Sequence, residues 1–452
     1  MTFLREKSIN VVVLCILIAG AWFRLTWYGD LRLSIGHADT RSYVSGSQAP
    51  LFSWKIFAGT RLFTTNIFYK LANDEQKCPS FAFSSPSEGL ESRRANQPCF
   101  DKIALLQNIL AVCAWSFLAW MVARRLKNPV IKIVAATIII IFAYTPQIAE
   151  WDSLLSPESL TFSLLLIAFA LLLEIAFGTV GASDKKFASL RDRLLIPVFV
   201  VVYLLWVFVR DVHIYSILMS LILIAPLYLW KNFRQSQTLK WVSLTLIGFF
   251  ILGSVSAKAS LRATHYPLEH AFNAYIWKYP QRVEFIKQFD MPPRESPEFQ
   301  TWFDANATKT YGLFLISHPG FVVTTLWDNT DQFKSDFIQP YFVTKDIQYR
   351  DSLIKIGEMA HPQTNAVFVL DVLFLVALGF KAFKYRNGET IVWFWLAAWF
   401  LLTAVITLVP TFFGDIDGTR RHIFPSVELL RLFMWIFLFP LLDYSEEKFG
   451  SL

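Results

Sequence analysis

Apolar runs about as long as a bilayer is thick (roughly 20 residues) recur along this chain, separated by polar segments. Ten such runs are present, at residues 8–27, 103–122, 130–148, 159–177, 194–209, 214–230, 241–257, 367–383, 391–409 and 423–442. They predict an all-α polytopic membrane bundle of about ten transmembrane helices. Every second short loop is basic: Arg124, Arg125 and Lys127; Lys185, Lys186, Arg191 and Arg193; Lys231, Arg234 and Lys240; Lys381, Lys384 and Arg386. Positive charge marks cytoplasmic loops, so these loops and both termini are expected in the cytoplasm. The opposite side then receives two long segments, 28–102 and 258–366, and three hairpins at 150–158, 210–213 and 414–422.

Two further patterns lie in the outer segments. Phe52, Ile56, Phe63, Ile67 and Leu71 recur at helical spacing, with Lys55, Arg61, Thr64 and Lys70 between them. They predict an amphipathic helix over 51–71 that lies on the membrane surface. The run 312–327, interrupted by His318-Pro319, predicts a re-entrant or interfacial helix. Reading it as a span would place Lys381, Lys384 and Arg386 outside. A division follows of a transmembrane module over 1–260, an outer segment over 261–366 and C-terminal helices over 367–452.

Composition agrees. Of 452 residues, 54% are hydrophobic and 17% charged, which a soluble domain cannot cover with polar surface. The net charge of +7 is accounted for by the basic loops, so no nucleic-acid partner is expected. The first run is long for a signal-peptide core and is read as a retained anchor. Cys15 and Cys113 fall inside apolar runs. Cys78 and Cys99 share a polar outer loop, where a disulfide would contribute about 3 kcal/mol. Asn306-Ala307-Thr308 is a glycosylation sequon.

The candidate chemistry gathers on the outer side. Asp39, in His37-Ala38-Asp39-Thr40-Arg41, can deprotonate a hydroxyl, or can equally cap the helix that follows. Glu150 and Asp152, one residue apart on a hairpin, can share a divalent cation, bind a substrate hydroxyl, or buttress arginines. Glu158 follows Ser156-Pro157 and reads as the first turn of a helix, its carboxylate on the positive dipole end. Arg210 and His213 sit between the fifth and sixth runs; Arg420, Arg421 and His422 lead into the last. Arginines at outer helix ends suit an anion, above all a phosphate, or else an ion pair with Asp211, Asp415 or Asp417. His265, His270, His318 and His361 are assigned no role.

The order of these features resembles the GT-C superfamily of membrane glycosyltransferases, which includes protein O-mannosyltransferases and lipid A aminoarabinose transferases. The resemblance implies a catalytic base at Asp39 and surface helices in the first outer loop. It also implies a second acidic site at Glu150 and Asp152, with magnesium or manganese there in some members, and a lipid-phosphate contact at Arg420 or Arg421. The expected activity is transfer of a sugar from a polyprenyl-phosphate donor to a lipid, glycan or protein hydroxyl, with inversion. His37, Arg41, Glu158, Arg210, His213 and His422 would help bind substrate. The expected setting is a bacterial inner membrane, the site facing the periplasm. The alternative is a transporter or flippase for an anionic lipid or sugar phosphate, and a third reading is a non-catalytic scaffold. Apart from Lys132 and Glu174 the runs are read as carrying almost no charge, which weakens the transport reading.

Overall fold

A computed structural model describes residues 2–37, 39–59, 61–72, 100–181, 190–229, 234, 237–259, 267–339, 349–414, 416 and 419–443. Cys78 and Cys99, with the disulfide expected between them, lie outside the described residues, as do Asp415 and Asp417.

The chain is an all-α bundle. Helix α1 (Thr2–Trp27) leads into a segment carrying α2 (Thr40–Ser47), α3 (Trp54–Phe57) and α4 (Phe63–Ala72). Then come α5 (Asp101–Arg125), α6 (Pro129–Tyr144), α7 (Pro146–Ala149), α8 (Glu158–Gly181), α9 (Leu190–Val207), α10 (Ile214–Ile224) and α11 (Gln237–Ala259). The second long segment holds α12 (Pro267–Tyr275), α13 (Pro280–Lys287), α14 (Glu298–Ser317), α15 (Pro319–Asp328), α16 (Thr330–Phe333) and α17 (Arg350–Ala360). It ends in α18 (Ala366–Tyr385), α19 (Gly388–Gly414) and α20 (Thr419–Asp443). Among the described residues, 8 helices are long and apolar enough to span a membrane. α6 and the stretch Pro146–Ser153 pass the same test only together and are bent by 52°, the form of a broken span or of a re-entrant loop. The bend falls at Thr145-Pro146, where proline has no N–H to continue the helical ladder. The shorter apolar part of α9, Leu194–Val207, is the remaining run.

Burial separates two kinds of span. α8 and α20 are enclosed by neighbours, whereas α1, α11 and α18 turn most of their surface outward. On α18 the exposed residues Val369, Leu373, Val376 and Phe380 recur every three or four positions, a lipid-facing stripe. At the centre Phe169 of α8 packs edge-on against Phe400 and Phe437, with ring centroids 4.8 and 6.2 Å away. At the end bearing the basic loops, the Asp443 carboxylate accepts from the Lys127 and Asn128 backbone N–H groups at 2.8 and 2.7 Å. Arg125 pairs there with the buried Glu174.

The surface helix expected over 51–71 is broken in two. An isolated bridge joins Ala58 to Leu62, and the chain folds so tightly that a Cβ on Gly59 would lie 2.2 Å from the Lys55 carbonyl oxygen. Helical periodicity does not register a break of this kind, because both pieces keep the same phase. In α4 the polar residues Thr64, Thr65, Asn66 and Tyr69 face inward and Leu71 outward, the reverse of a water-soluble helix. The 312–327 run also divides, at His318, and neither α14 nor α15 qualifies as a span.

Candidate active site

Residues 34–40 are stitched to the hairpin before α8. The Ile35 N–H donates to the Ser153 carbonyl, and the Leu155 N–H to the Ile35 carbonyl, both at 2.9 Å. The Thr40 hydroxyl donates to the Leu155 carbonyl at 2.9 Å and accepts from the His37 N–H at the same distance. These bonds set Asp39 beside the start of α8, where Glu158 stands. Asp39 makes no side-chain cap bond to α2, so its carboxylate is directed elsewhere.

It is directed at arginines. Arg421, in the first turn of α20, bonds to Asp39 Oδ2, and Arg61 lies 3.3 Å from Oδ1. Arg421 also reaches Glu158 Oε1 at 4.0 Å, the His37 Nδ1 at 2.6 Å and the His422 Nε2 at 3.1 Å. Arg210, at the turn between α9 and α10, places Nη2 2.7 Å from His422 Nδ1 and donates to the His422 carbonyl at 3.3 Å. Three guanidiniums, two carboxylates and two imidazoles thus meet at one end of the bundle.

Arg61 is held in place by its neighbours. Its Nε donates to the Ser42 hydroxyl at 2.7 Å, its guanidinium lies 4.1 Å over the Tyr43 ring, and its carbonyl accepts from Asn66 at 2.8 Å. α2 comes close to α4 because position 46 is glycine, where a Cβ would sit 2.6 Å from Asn66 Oδ1. Tyr69 stands next to Tyr43, ring centroids 6.2 Å apart.

The electrostatics follow from burial and the arginines. Burial pushes the Asp39 carboxyl up, but Arg421 and Arg61 outweigh it and hold the group well below the usual carboxylate range. Burial, aided by Arg421, holds His37 well below the ordinary imidazole value, so the ring is neutral. Burial drives the Tyr69 hydroxyl well above the ordinary phenol value, with Tyr43 and Glu158 acting in the same direction.

The remaining sequence candidates stand outside this cluster. Glu150 is bound by Arg350 through two bonds of 2.5 and 2.9 Å. Asp152 takes Arg24 at 3.3 Å and the Ser159 hydroxyl at 2.6 Å. Of the roles open to these two acids, buttressing arginines matches their contacts. As placed they do not fit a shared cation, which would have to displace both guanidiniums. Among the described residues no group of three His, Cys, Asp or Glu side chains is set to hold a metal. His213 stacks on Trp206, centroids 4.3 Å apart, and its Nδ1 lies 3.0 Å from the Trp206 carbonyl. Arg41 and Arg420 are exposed, Arg420 within electrostatic reach of Asp336.

Sequence reasoning passed over Arg61, Tyr43 and Tyr69 as site residues. It also undercounted charge within the spans, since Arg24, Asp371, Glu428 and Arg431 lie there too. Most of these are paired. Glu428 accepts from Arg431 and meets His361 Nδ1, both at 2.5 Å, all three side chains being buried. Arg431 also donates to the carbonyls of Phe333 and Ser335 at 3.1 Å, which pins the second outer segment to α20.

No family model matches this sequence, and no curated protein does. Solved structures resemble its chain path distantly. An archaeal oligosaccharyltransferase, AglB from Archaeoglobus fulgidus in complex with an inhibitory peptide and a dolichol-phosphate, aligns at TM-score 0.42 and 14% identity, over 97% of this chain and 52% of that one. The Archaeoglobus fulgidus oligosaccharyltransferase in the apo form aligns at TM-score 0.44 and 13% identity, over 94% and 50%. The chain therefore spans about half the length of the structures it resembles. Likeness this loose has no bearing on chemistry, which rests on the side chains described above.

Proposed function

We propose that this protein is a membrane glycosyltransferase of the GT-C kind, moving a sugar from a polyprenyl-phosphate donor to a hydroxyl acceptor at the outer membrane face. The observation that carries this reading is the Asp39 carboxylate gripped by Arg421 and Arg61, at one end of a helical bundle. A polyprenyl chain is insoluble and stays in lipid, so its phosphate and sugar present themselves at the headgroup level.

The clamp also couples the two substrates. In the structure Asp39 is a poor base, because two guanidiniums stabilise its ionised form. An arriving phosphate is a competing anion for Arg421 and Arg61. As they turn to it, Asp39 loses its stabilisation and becomes able to take a proton. The acceptor O–H then breaks toward Asp39, and the oxygen bonds to the anomeric carbon. The bond from that carbon to the phosphate breaks with its electron pair leaving on the phosphate. Arg421, Arg61 and Arg210 neutralise that charge as it grows. A base on one face and a leaving anion on the other give inversion. Products are the glycosylated acceptor, polyprenyl phosphate and protonated Asp39, which returns its proton to water.

Three of the charges within the spans favour this reading over transport: Arg24, Glu428 and Arg431 are fixed in pairs, as a static frame requires and a permeation route does not. Asp371, buried in α18 with neither carboxylate oxygen hydrogen-bonded among the described residues, does not share in that frame. The proposed setting keeps both termini in the cytoplasm and the site at the periplasmic face of a bacterial inner membrane. The acceptor is a lipid, glycan or protein hydroxyl.

The test is reconstitution of wild type and Asp39→Asn with labelled polyprenyl-phosphate sugars and membrane extract. Release of polyprenyl phosphate by the wild type, lost by roughly 10²–10⁴-fold in a folded variant, is the expected result. Release from no donor defeats the transferase reading. Equal release by both proteins removes Asp39 from the reaction.

A further inference from the structure

Two of the buried polar atoms beside the clamp that have no hydrogen-bond partner among the described residues stand out. Glu158 Oε2 is one: its other oxygen faces Arg421, yet no hydrogen bond reaches Oε2 among the described residues. The Tyr69 hydroxyl is the second, on a fully buried ring. Buried polar groups are nearly always satisfied, and leaving one bare is destabilising. These two belong to one neighbourhood. Tyr69 packs against Tyr43, Tyr43 carries Arg61 on its face, Arg61 meets Asp39, and Arg421 joins Asp39 to Glu158.

We propose that Glu158 and Tyr69 form the subsite that selects the transferred sugar, and that this sugar is neutral and rich in hydroxyls. This deepens the transferase reading and rests on it. The chemistry of the two atoms fixes the ligand class. A carboxylate oxygen only accepts, so Glu158 asks for a sugar O–H. A phenol both donates and accepts, so Tyr69 suits a second hydroxyl of the same ring. A uronic acid would set its carboxylate against Glu158, a repulsion between like charges. A sugar seated there lies beside both Asp39 and Arg421, as a donor with its phosphate on the arginine must. The same placement explains why Glu158, on the first turn of a fully enclosed helix, is tolerated without a full set of partners.

The experiment uses the full chain in vesicles with short-polyprenyl phosphates of a neutral hexose, its monodeoxy analogues and the matching uronic acid. Release of polyprenyl phosphate gives kcat and KM, and thermal unfolding is followed without donor. Tyr69→Phe removes a hydroxyl with no hydrogen-bond partner among the described residues, so the unfolding temperature is expected to stay level or rise. The KM for the hexose donor is expected to rise roughly tenfold, about the value of one lost hydrogen bond. One monodeoxy donor should be weaker with the wild type and insensitive to Tyr69→Phe. Glu158→Gln should narrow the discrimination against the uronic acid. Unchanged KM and donor preference in both variants, with normal release by the wild type, overturns the sugar subsite and leaves the transferase standing. Release by the wild type from no donor overturns both. A fall in unfolding temperature with unchanged KM assigns the Tyr69 hydroxyl to the fold and overturns its role.

Discussion

Arg421 Nη1 lies 2.6 Å from the Nδ1 of His37, and the Asp39 backbone N–H points at that same nitrogen from 3.2 Å. Two donors converge on one lone pair, so the imidazole proton sits on Nε2 and the ring is a neutral acceptor. Arg421 therefore meets a neutral acceptor on one side and the Asp39 carboxylate on the other, which orients its planar fork until a phosphate competes for it.

This has a pH consequence. His37 is held neutral in the folded protein by burial and by Arg421, with its pKa below the unfolded value of about 6.5. The unfolded chain gains a proton first as pH falls, so the stability associated with this residue is complete above about pH 6.5 and is lost progressively below it. His37→Gln keeps an acceptor for Arg421 and has no such titration. Unfolding temperature measured from pH 7.5 to 5 should fall less steeply in His37→Gln than in the wild type. Parallel curves would show that His37 does not carry the effect.

Arg421→Lys keeps the charge and loses the fork. A single ammonium cannot serve Asp39, His37 and His422 and still receive a phosphate. A fall in kcat of roughly 10²–10³, comparable to loss of one preorganised donor, is the expected result. Near-wild-type turnover would mean that charge alone suffices.

Glu428→Ala leaves Arg431 buried without its carboxylate, at a cost of about 3–5 kcal/mol. Removing the exposed Lys287–Glu284 pair by Lys287→Ala should fall within about 1 kcal/mol. Chemical unfolding in a fixed detergent compares the two. Similar losses would refute the claim that the buried triad anchors the second outer segment.

Metal dependence is testable directly. Glu150 and Asp152 are each engaged by an arginine, so dialysis against a chelator is expected to leave release rates unchanged. Recovery of lost activity by magnesium or manganese would show that Arg24 and Arg350 give way to an ion.

The sequence revealed most of the bundle, because span length and apolarity are set by the bilayer and read locally. Ten apolar runs led to ten helical segments. Asp39, His37, Glu158, Arg210, Arg421 and His422 were all singled out by position at outer helix ends, and the structure gathers all six. What spacing could not convey was pairing. Nothing local says that Arg350 belongs to Glu150, 200 residues away, or that Arg24 belongs to Asp152. Arg61 was hidden for a related reason: it took a polar position in an amphipathic pattern, where solvent is the default partner. Its real setting depends on the break at Gly59 and on α4 turning its polar face inward, neither of which changes the periodicity.

Asp39 and Arg421 are separated by 382 residues of chain. At roughly 5–20 residues per second, a ribosome needs on the order of 20–80 seconds to make that stretch. During that interval the intervening helices are made one after another, among the very lipids on which the finished protein is proposed to act. Until α20 is made, Asp39 is without the Arg421 guanidinium and the proposed phosphate site lacks its principal cation. On the proposed mechanism the growing chain is therefore expected to stay inert toward donor lipid while it is being assembled.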